Sequence, residues 1–206
     1  MADADAGDHP GPSPTGELDV DLVVVGGSAG GIDALQRLLQ ALPDDLGAAV
    51  VVALHRPANR TSALVPVLRR CTGLPLEGAA DGAQLRRGEV VVAPPDEHVV
   101  VVGAGIHLSR GARINGHRPS IDPLFESAAR AFGPRVLGVL LSGALDDGVA
   151  GLAAIRAAGG TTAVQAPAEA AFPGMPTAAI DAGVVDHVLP VAGLAGLVVA
   201  GARGEG

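Results

Sequence analysis

Residues 20–39 read VDLVVVGGSAGGIDALQRLL, and this stretch decides the fold. Val20–Gly26 is, apart from Asp21 near its start, an apolar, β-branched run without polar alternation, the signature of a strand buried on both sides. It ends in glycines. From Gly31 to Leu42 the apolar positions Ile32, Leu35, Leu38, Leu39 and Leu42 return at helical spacing, and Pro43 closes the segment. A buried strand, a glycine-rich turn and an amphipathic helix form the opening half of a βαβ unit.

The same alternation continues outward. Ala48–Leu54 reads as a second buried strand that stops at His55-Arg56-Pro57, and Thr61 is placed to cap a helix reaching Arg70. Glu89–Pro94, His98–Val102 and Ile106–Ser109 are short β runs broken by PPDE and GAG, predicting antiparallel strands. Helices are expected at Asp122–Phe132, Asp146–Ala157 and Thr177–Ala182. Strands are expected at Arg135–Leu141, Gly160–Gln165 and Val184–Leu189, with a helix at the C-terminal end. The predicted architecture is a three-layer α/β fold: a mostly parallel sheet flanked by helices, with a small antiparallel insertion near residues 89–109. Residues 1–17, acidic and rich in Pro and Gly, are expected to be a disordered tail, leaving one domain over 18–203.

Composition narrows the chemistry. The chain has 206 residues and a net charge of −8, and its basic residues are all arginine. Without lysine there is no Schiff base, P-loop lysine or Ser-Lys dyad. An acidic chain with three Phe and no Tyr or Trp has little with which to bind nucleic acid. The single cysteine, Cys71, excludes an intrachain disulfide and a cysteine-rich zinc site. The longest apolar run, Val188–Ala202, contains Pro190 and is shorter than a spanning helix requires. No secretory leader is legible, so a cytoplasmic protein without membrane insertion is expected. No cofactor is implied, and no spaced ligand cluster such as H-E-x-x-H points to a metal.

Ligands of open parallel sheets gather at the carboxyl ends of the strands. Ser28 follows the first predicted strand, His55 the second, and Asp146 and Asp147 the one ending LLSGALDDG. A serine hydroxyl becomes a nucleophile when a histidine takes its proton, and a carboxylate holds that histidine in one tautomer. Gly26-Gly27-Ser28-Ala29-Gly30 also fits the G-x-S-x-G elbow, and the N–H after the serine suits an oxyanion. A plain glycine turn accounts for the same five residues. G-x-G-x-x-G fails because Ser28 occupies a required glycine, and the P-loop fails at Ile32. The order Ser, His, Asp differs from the Ser, Asp, His of the α/β-hydrolases. His98, His107, His117 and His187 compete with His55 for the base, which is the best placed of them. Asp146 and Asp147 also have a bland reading, as acids at a helix N-terminus.

Six blocks in order, VVVGGSAGGIDAL, ALHRP, VAPPDEHVVV, HRPSIDPLFESAA, GVLLSGALDDGVAGL and FPGMPTAAIDAGVVDHVLP, resemble the catalytic domain of the CheB chemotaxis protein-glutamate methylesterases. The resemblance spans roughly residues 20–200. It implies a parallel α/β enzyme that hydrolyses glutamyl methyl esters on the cytoplasmic regions of chemoreceptors, with deamidation of glutamines in many members. It aligns the nucleophile with Ser28, the base with His55, and the aspartate with Asp147, the one directly before the glycine. Backbone N–H groups at Ala29 and near Ala144 are then the expected oxyanion donors; substrate-binding residues are not implied.

This chain departs from the family pattern. Ala29 stands where threonine is common, and Ser142-Gly143-Ala144-Leu145 replaces T-G-M-G. A glycine at the position of Leu145 can hold a positive φ that leucine resists. Fewer than twenty residues precede the first strand, whereas family members usually carry an N-terminal receiver domain. The expected partners are methylated chemoreceptors and a separate receiver or kinase component. HRPSIDP, His117–Pro123, is either a substrate-facing loop or one whose Arg118 pairs with a structural carboxylate. Two other functions fit less of the pattern: a non-catalytic binding module of a signalling array, and a serine esterase with a substrate outside chemotaxis.

Overall fold

The computed structural model describes residues 20–56 and 64–202; the expected tail and the Thr61 cap lie outside them. In chain order the elements are β1 (Leu22–Gly27), α1 (Gly31–Gln40), β2 (Ala49–Leu54), α2 (Leu64–Leu68), β3 (Leu76–Gly78), β4 (Val90–Val92), β5 (His98–Val102) and β6 (Gly105–Ser109). They continue with α3 (Ile121–Phe132), β7 (Val136–Leu140), α4 (Val149–Ala157), β8 (Thr161–Gln165), α5 (Gly174–Asp181), β9 (His187–Leu189) and α6 (Val191–Gly201).

Seven strands form one parallel sheet in the order β3-β4-β2-β1-β7-β8-β9. Every residue of β1 is buried, as its uninterrupted apolar sequence demands. Val23 and Val25 face one core, shared with Leu35, Leu38 and Leu39 of α1 and Leu194 and Val198 of α6. Leu22 and Val24 face the other, shared with Leu124 and Phe125 of α3 and Leu152 and Ile155 of α4. Each such Val or Leu contributes about 1.5–3 kcal/mol by leaving water, so two largely aliphatic layers hold the sheet, with Phe125 fully buried in the second.

The antiparallel insertion is smaller than the sequence suggests. β5 and β6 form the antiparallel pair, His98 opposite Ser109 and Val102 opposite Gly105. Val90–Val92, expected to join them, instead lies parallel between β2 and β3. A three-valine run carries no alternation, so its pairing direction is set by β2 rather than by its own sequence.

The chain leaves β1 toward β2 on one side and later returns to place β7 on the other. The crevice between the ends of β1 and β7 is therefore the topological switch point, where open α/β sheets bind ligands.

Candidate active site

Three loops meet at this crevice. β1 ends in Gly27, and Ser28 starts the turn into α1. Its N–H donates to the Ser142 carbonyl (2.9 Å), and its carbonyl accepts from the Gly31 N–H (2.9 Å). Gly30 closes the turn at φ 73°, a left-handed conformation that glycine adopts without strain. Ser28 is left half-buried at the mouth of the crevice.

β2 delivers His55, whose N–H donates to the Gly27 carbonyl (3.0 Å). Its Nδ1 lies 3.1 Å from Ser28 Oγ and its Nε2 2.5 Å from Asp147 Oδ2. With the Nε2 proton directed at the carboxylate, Nδ1 is bare and faces the hydroxyl, the arrangement a general base requires. The ring nitrogens are thus used the opposite way round from the serine-protease template, in which Nε2 serves the serine. The His55 and Asp147 side chains are only 5% and 2% exposed, so their pairing is shielded from water.

Asp147 lies in the loop between β7 and α4. It accepts from Ser120 Oγ (2.8 and 3.0 Å), from the N–H groups of Ile121 (2.8 Å) and Asp122 (3.3 Å), and from Asn115 Nδ2 (3.0 Å). Burial pushes its pKa up. The hydrogen bonds from His55, Ile121, Ser120 and Asn115 outweigh that, and the net position is well below the ordinary carboxylate range. Asp147 is therefore ionised, and it also caps the N-terminus of α3. The reverse cap comes from Asp122 of α3, whose Oδ1 accepts from Gly148 N–H (2.9 Å) and Gly151 N–H (2.8 Å) at the start of α4. The two helices thus cap each other through two buried carboxylates. Burial and the Asp147 charge push Asp122 up to about 6.

The other candidates separate clearly. Asp146 is exposed, and its carbonyl takes the Val149 N–H. His98 is buried, its Nε2 on the Ala112 carbonyl and its Nδ1 toward the Ser120 N–H, a structural histidine. His107 pairs with Asp81 on the surface, and His187 lies on the edge strand β9. His117 alone reaches the site, stacking on His55 with centroids 3.6 Å apart and planes 8° apart. Burial, then the neighbouring His55, lowers its pKa, which favours a neutral ring against the base. Arg118 donates to Asp96 Oδ1 (2.8 Å) in the β4–β5 connection and to the carbonyls of Arg110 and Gly111 in its own loop, so it ties these two loops together.

The loop after β7 closes the site on the serine's other side. A Cβ on Gly143 would collide with Met175 Sδ and stand 2.9 Å from Ser28 Cβ, so only glycine allows the approach. Ser142 Oγ donates to the Ala29 carbonyl (2.8 Å) and lashes the two loops together. The Gly143 N–H is donated to the Phe172 carbonyl (2.9 Å). Among the described residues, no acceptor takes the N–H of Ala29 or of Ala144. Leu145, next in line, has φ 67° and is 72% exposed: a leucine in the left-handed conformation that the sequence pattern associates with glycine.

Ser120, Asn115, Asp122 and Ser142 are the polar groups that sequence reasoning did not assign. Asn115-Gly116 carried a signal, being a favoured type I′ turn pair. The structure has this turn: Asn115 and Gly116 at φ 52° and 77°, closed by paired hydrogen bonds between Ile114 and His117. Among the described residues, no three His, Cys, Asp or Glu side chains converge as metal ligands. No helix there is long and apolar enough to cross a membrane.

Known proteins share both sequence and fold with this chain. The Thermotoga maritima CheB methylesterase catalytic domain superposes with a TM-score of 0.84 at 28% identity, covering 88% of this chain and 98% of that one. A Moorella thermoacetica protein-glutamate methylesterase/protein-glutamine glutaminase is 39% identical over 98% of this chain and 48% of its own length. A Myxococcus xanthus protein of the same name, number 5, is 42% identical over 86% of this chain and 52% of its own. The chain spans about half the length of these two curated relatives. Residues 23–198 match the family described as CheB methylesterase, and the chain belongs to that family.

Proposed function

We propose that this chain is a serine esterase that hydrolyses glutamyl methyl esters on the cytoplasmic regions of chemoreceptors, acts in the cytoplasm, and deamidates glutamines there by the same chemistry. One observation carries the reading: Ser28 Oγ, His55 and buried Asp147 lie in a single hydrogen-bonded line at the switch point. The names of the curated relatives support the choice of substrate.

In this mechanism Ser28 Oγ attacks the ester carbonyl while His55 Nδ1 takes its proton. The imidazolium formed is stabilised by Asp147, whose charge the surrounding N–H and O–H donors maintain. The carbonyl oxygen gains negative charge and is held by the N–H groups of Ala29 and Ala144, ahead of α1 and across the crevice from it. His55 returns the proton to the departing methoxide, and methanol leaves. A water, deprotonated by the same histidine, then attacks the acyl-serine and releases glutamate and the free hydroxyl. With a glutamine the leaving group is ammonia and the product is again glutamate.

The test is methanol release from membranes carrying methylated chemoreceptors. Wild-type protein is expected to release it, and Ser28→Ala or His55→Ala to lower turnover roughly 10³-fold or more. Release that is undiminished in Ser28→Ala overturns the reading. Folded wild-type protein that releases nothing points to a different ester or to a binding role.

A further inference from the structure

Asn115 approaches the site from outside the serine–histidine–aspartate line. It opens the two-residue turn before His117, and its Nδ2 lies 3.0 Å from Asp147 Oδ1 and 2.9 Å from Asp122 Oδ2. A primary amide has two N–H bonds, and here each is donated to a different carboxylate. Resting on the esterase reading above, we infer that Asn115 is a positioning residue: its amide clamps Asp147 to Asp122 and so fixes the carboxylate that orients His55.

The division of donors between the two oxygens of Asp147 supports this. Oδ2 is held by His55 Nε2, Ser120 Oγ and the Ile121 N–H. Oδ1 has Ser120 Oγ, which it shares with Oδ2, the Asp122 N–H at 3.3 Å, and Asn115. Without the amide, Oδ1 keeps one shared donor and one long one, while the neighbouring carboxylate repels it. Two carboxylates in one buried site disfavour each other's ionisation, and donors placed between them relieve that. Asp147 is the charged group facing Asp122, and His55 and His117 both interact with Asp147 in turn.

The backbone explains why asparagine suits the position. At φ 52° the turn tolerates glycine and, more than most other residues, asparagine. Glycine satisfies the turn alone; asparagine satisfies the turn and the clamp.

Asn115→Gly separates the two roles, because it removes the amide from an exposed turn without straining it. The expected result is a kcat lower by roughly tenfold to hundredfold with KM within about twofold, the size of one hydrogen bond to a charged group. Carboxyl-carbon NMR, run on the same protein, is expected to show the Asp122 midpoint rising from about 6. Asn115→Asp, which adds a third carboxylate, is expected to raise that midpoint further. An unchanged kcat with an unmoved midpoint overturns the clamp. So does a loss confined to KM with the midpoint unmoved, since the turn then acts only on substrate. If wild-type protein releases no methanol, it is the esterase reading that fails, and the midpoint alone then decides whether Asn115 holds the pair.

Discussion

Leu145→Gly is expected to make the protein more stable, although it deletes an entire side chain. Leu145 sits at φ 67° with 72% of its surface exposed, so its side chain contributes little burial while its backbone pays for an unfavourable conformation. The left-handed region costs a residue with a Cβ about 1–2 kcal/mol relative to glycine. Glycine returns part of that, about 0.4–1 kcal/mol, through its greater freedom in the unfolded chain. The net expectation is a gain on the order of 0.5–1 kcal/mol, which for a domain near 200 residues raises Tm by about 1–4 °C. Leu145→Ala is the control: it keeps the strained φ, removes the same exposed side chain, and is expected to lie within about 0.5 kcal/mol of wild type. Differential scanning calorimetry and urea unfolding of the three proteins measure the difference. If Gly and Ala variants are equally stable, or Gly is the weaker, the strain argument is wrong. A leucine-specific contribution that its exposure does not reveal shows differently, as Gly and Ala variants that both fall below wild type.

Gly143→Ala is expected to cost about 1–3 kcal/mol and to lower kcat, because the new methyl displaces the loop carrying Ala144 from Ser28 and Met175; calorimetry and methanol release check the two parts. Asp122 has a folded pKa raised to about 6 from 3.8, so it binds its proton more tightly when folded. Its contribution to stability is therefore full below about 4 and is lost as pH rises through about 6. Asp147, shifted the other way, loses its contribution only as pH falls below the ordinary carboxylate range, outside that window. Urea unfolding of wild type relative to Asp122→Asn, at pH 4.5 and 6.5, is expected to show the wild-type advantage shrinking with rising pH; a growing advantage contradicts the sign. Asp147→Ala is expected to destabilise by about 1–2 kcal/mol through the lost cap of α3, whereas Ser28→Ala changes stability by less than about 0.5 kcal/mol.

The β1–turn–α1 unit was legible because an apolar run with no polar face, ending in glycines before a helical period, has few other solutions. The three loop residues after β1, β2 and β7 were legible for a related reason: strand ends are local features, and parallel sheets collect them on one edge. The choice between Asp146 and Asp147 was not, since adjacent residues share their composition and differ only in which one turns inward; the family pattern supplied Asp147. β3 was missed because Leu76–Gly78 is a three-residue strand containing a glutamate and a glycine. The contacts of Asn115 and Asp122 were out of reach for a different reason. Their shared partner Asp147 is 32 and 25 residues away, and although Asn-Gly announces a turn, nothing local announces which distant side chain that turn or the start of α3 meets.

The mutual capping of α3 and α4 bears on how such a protein would decay. Asp147 is a structural bolt whatever chemistry it serves, so selection for a folded chain preserves it after any need for hydrolysis has gone. Ser28 has no comparable duty: its side chain meets one ring nitrogen and sits half-open at the crevice. A copy of this domain that had drifted into a purely adhesive role is therefore expected to shed the serine early and keep the aspartate. An intact hydroxyl at position 28 is the more telling mark of a working hydrolase, and the aspartate is nearly silent on the matter.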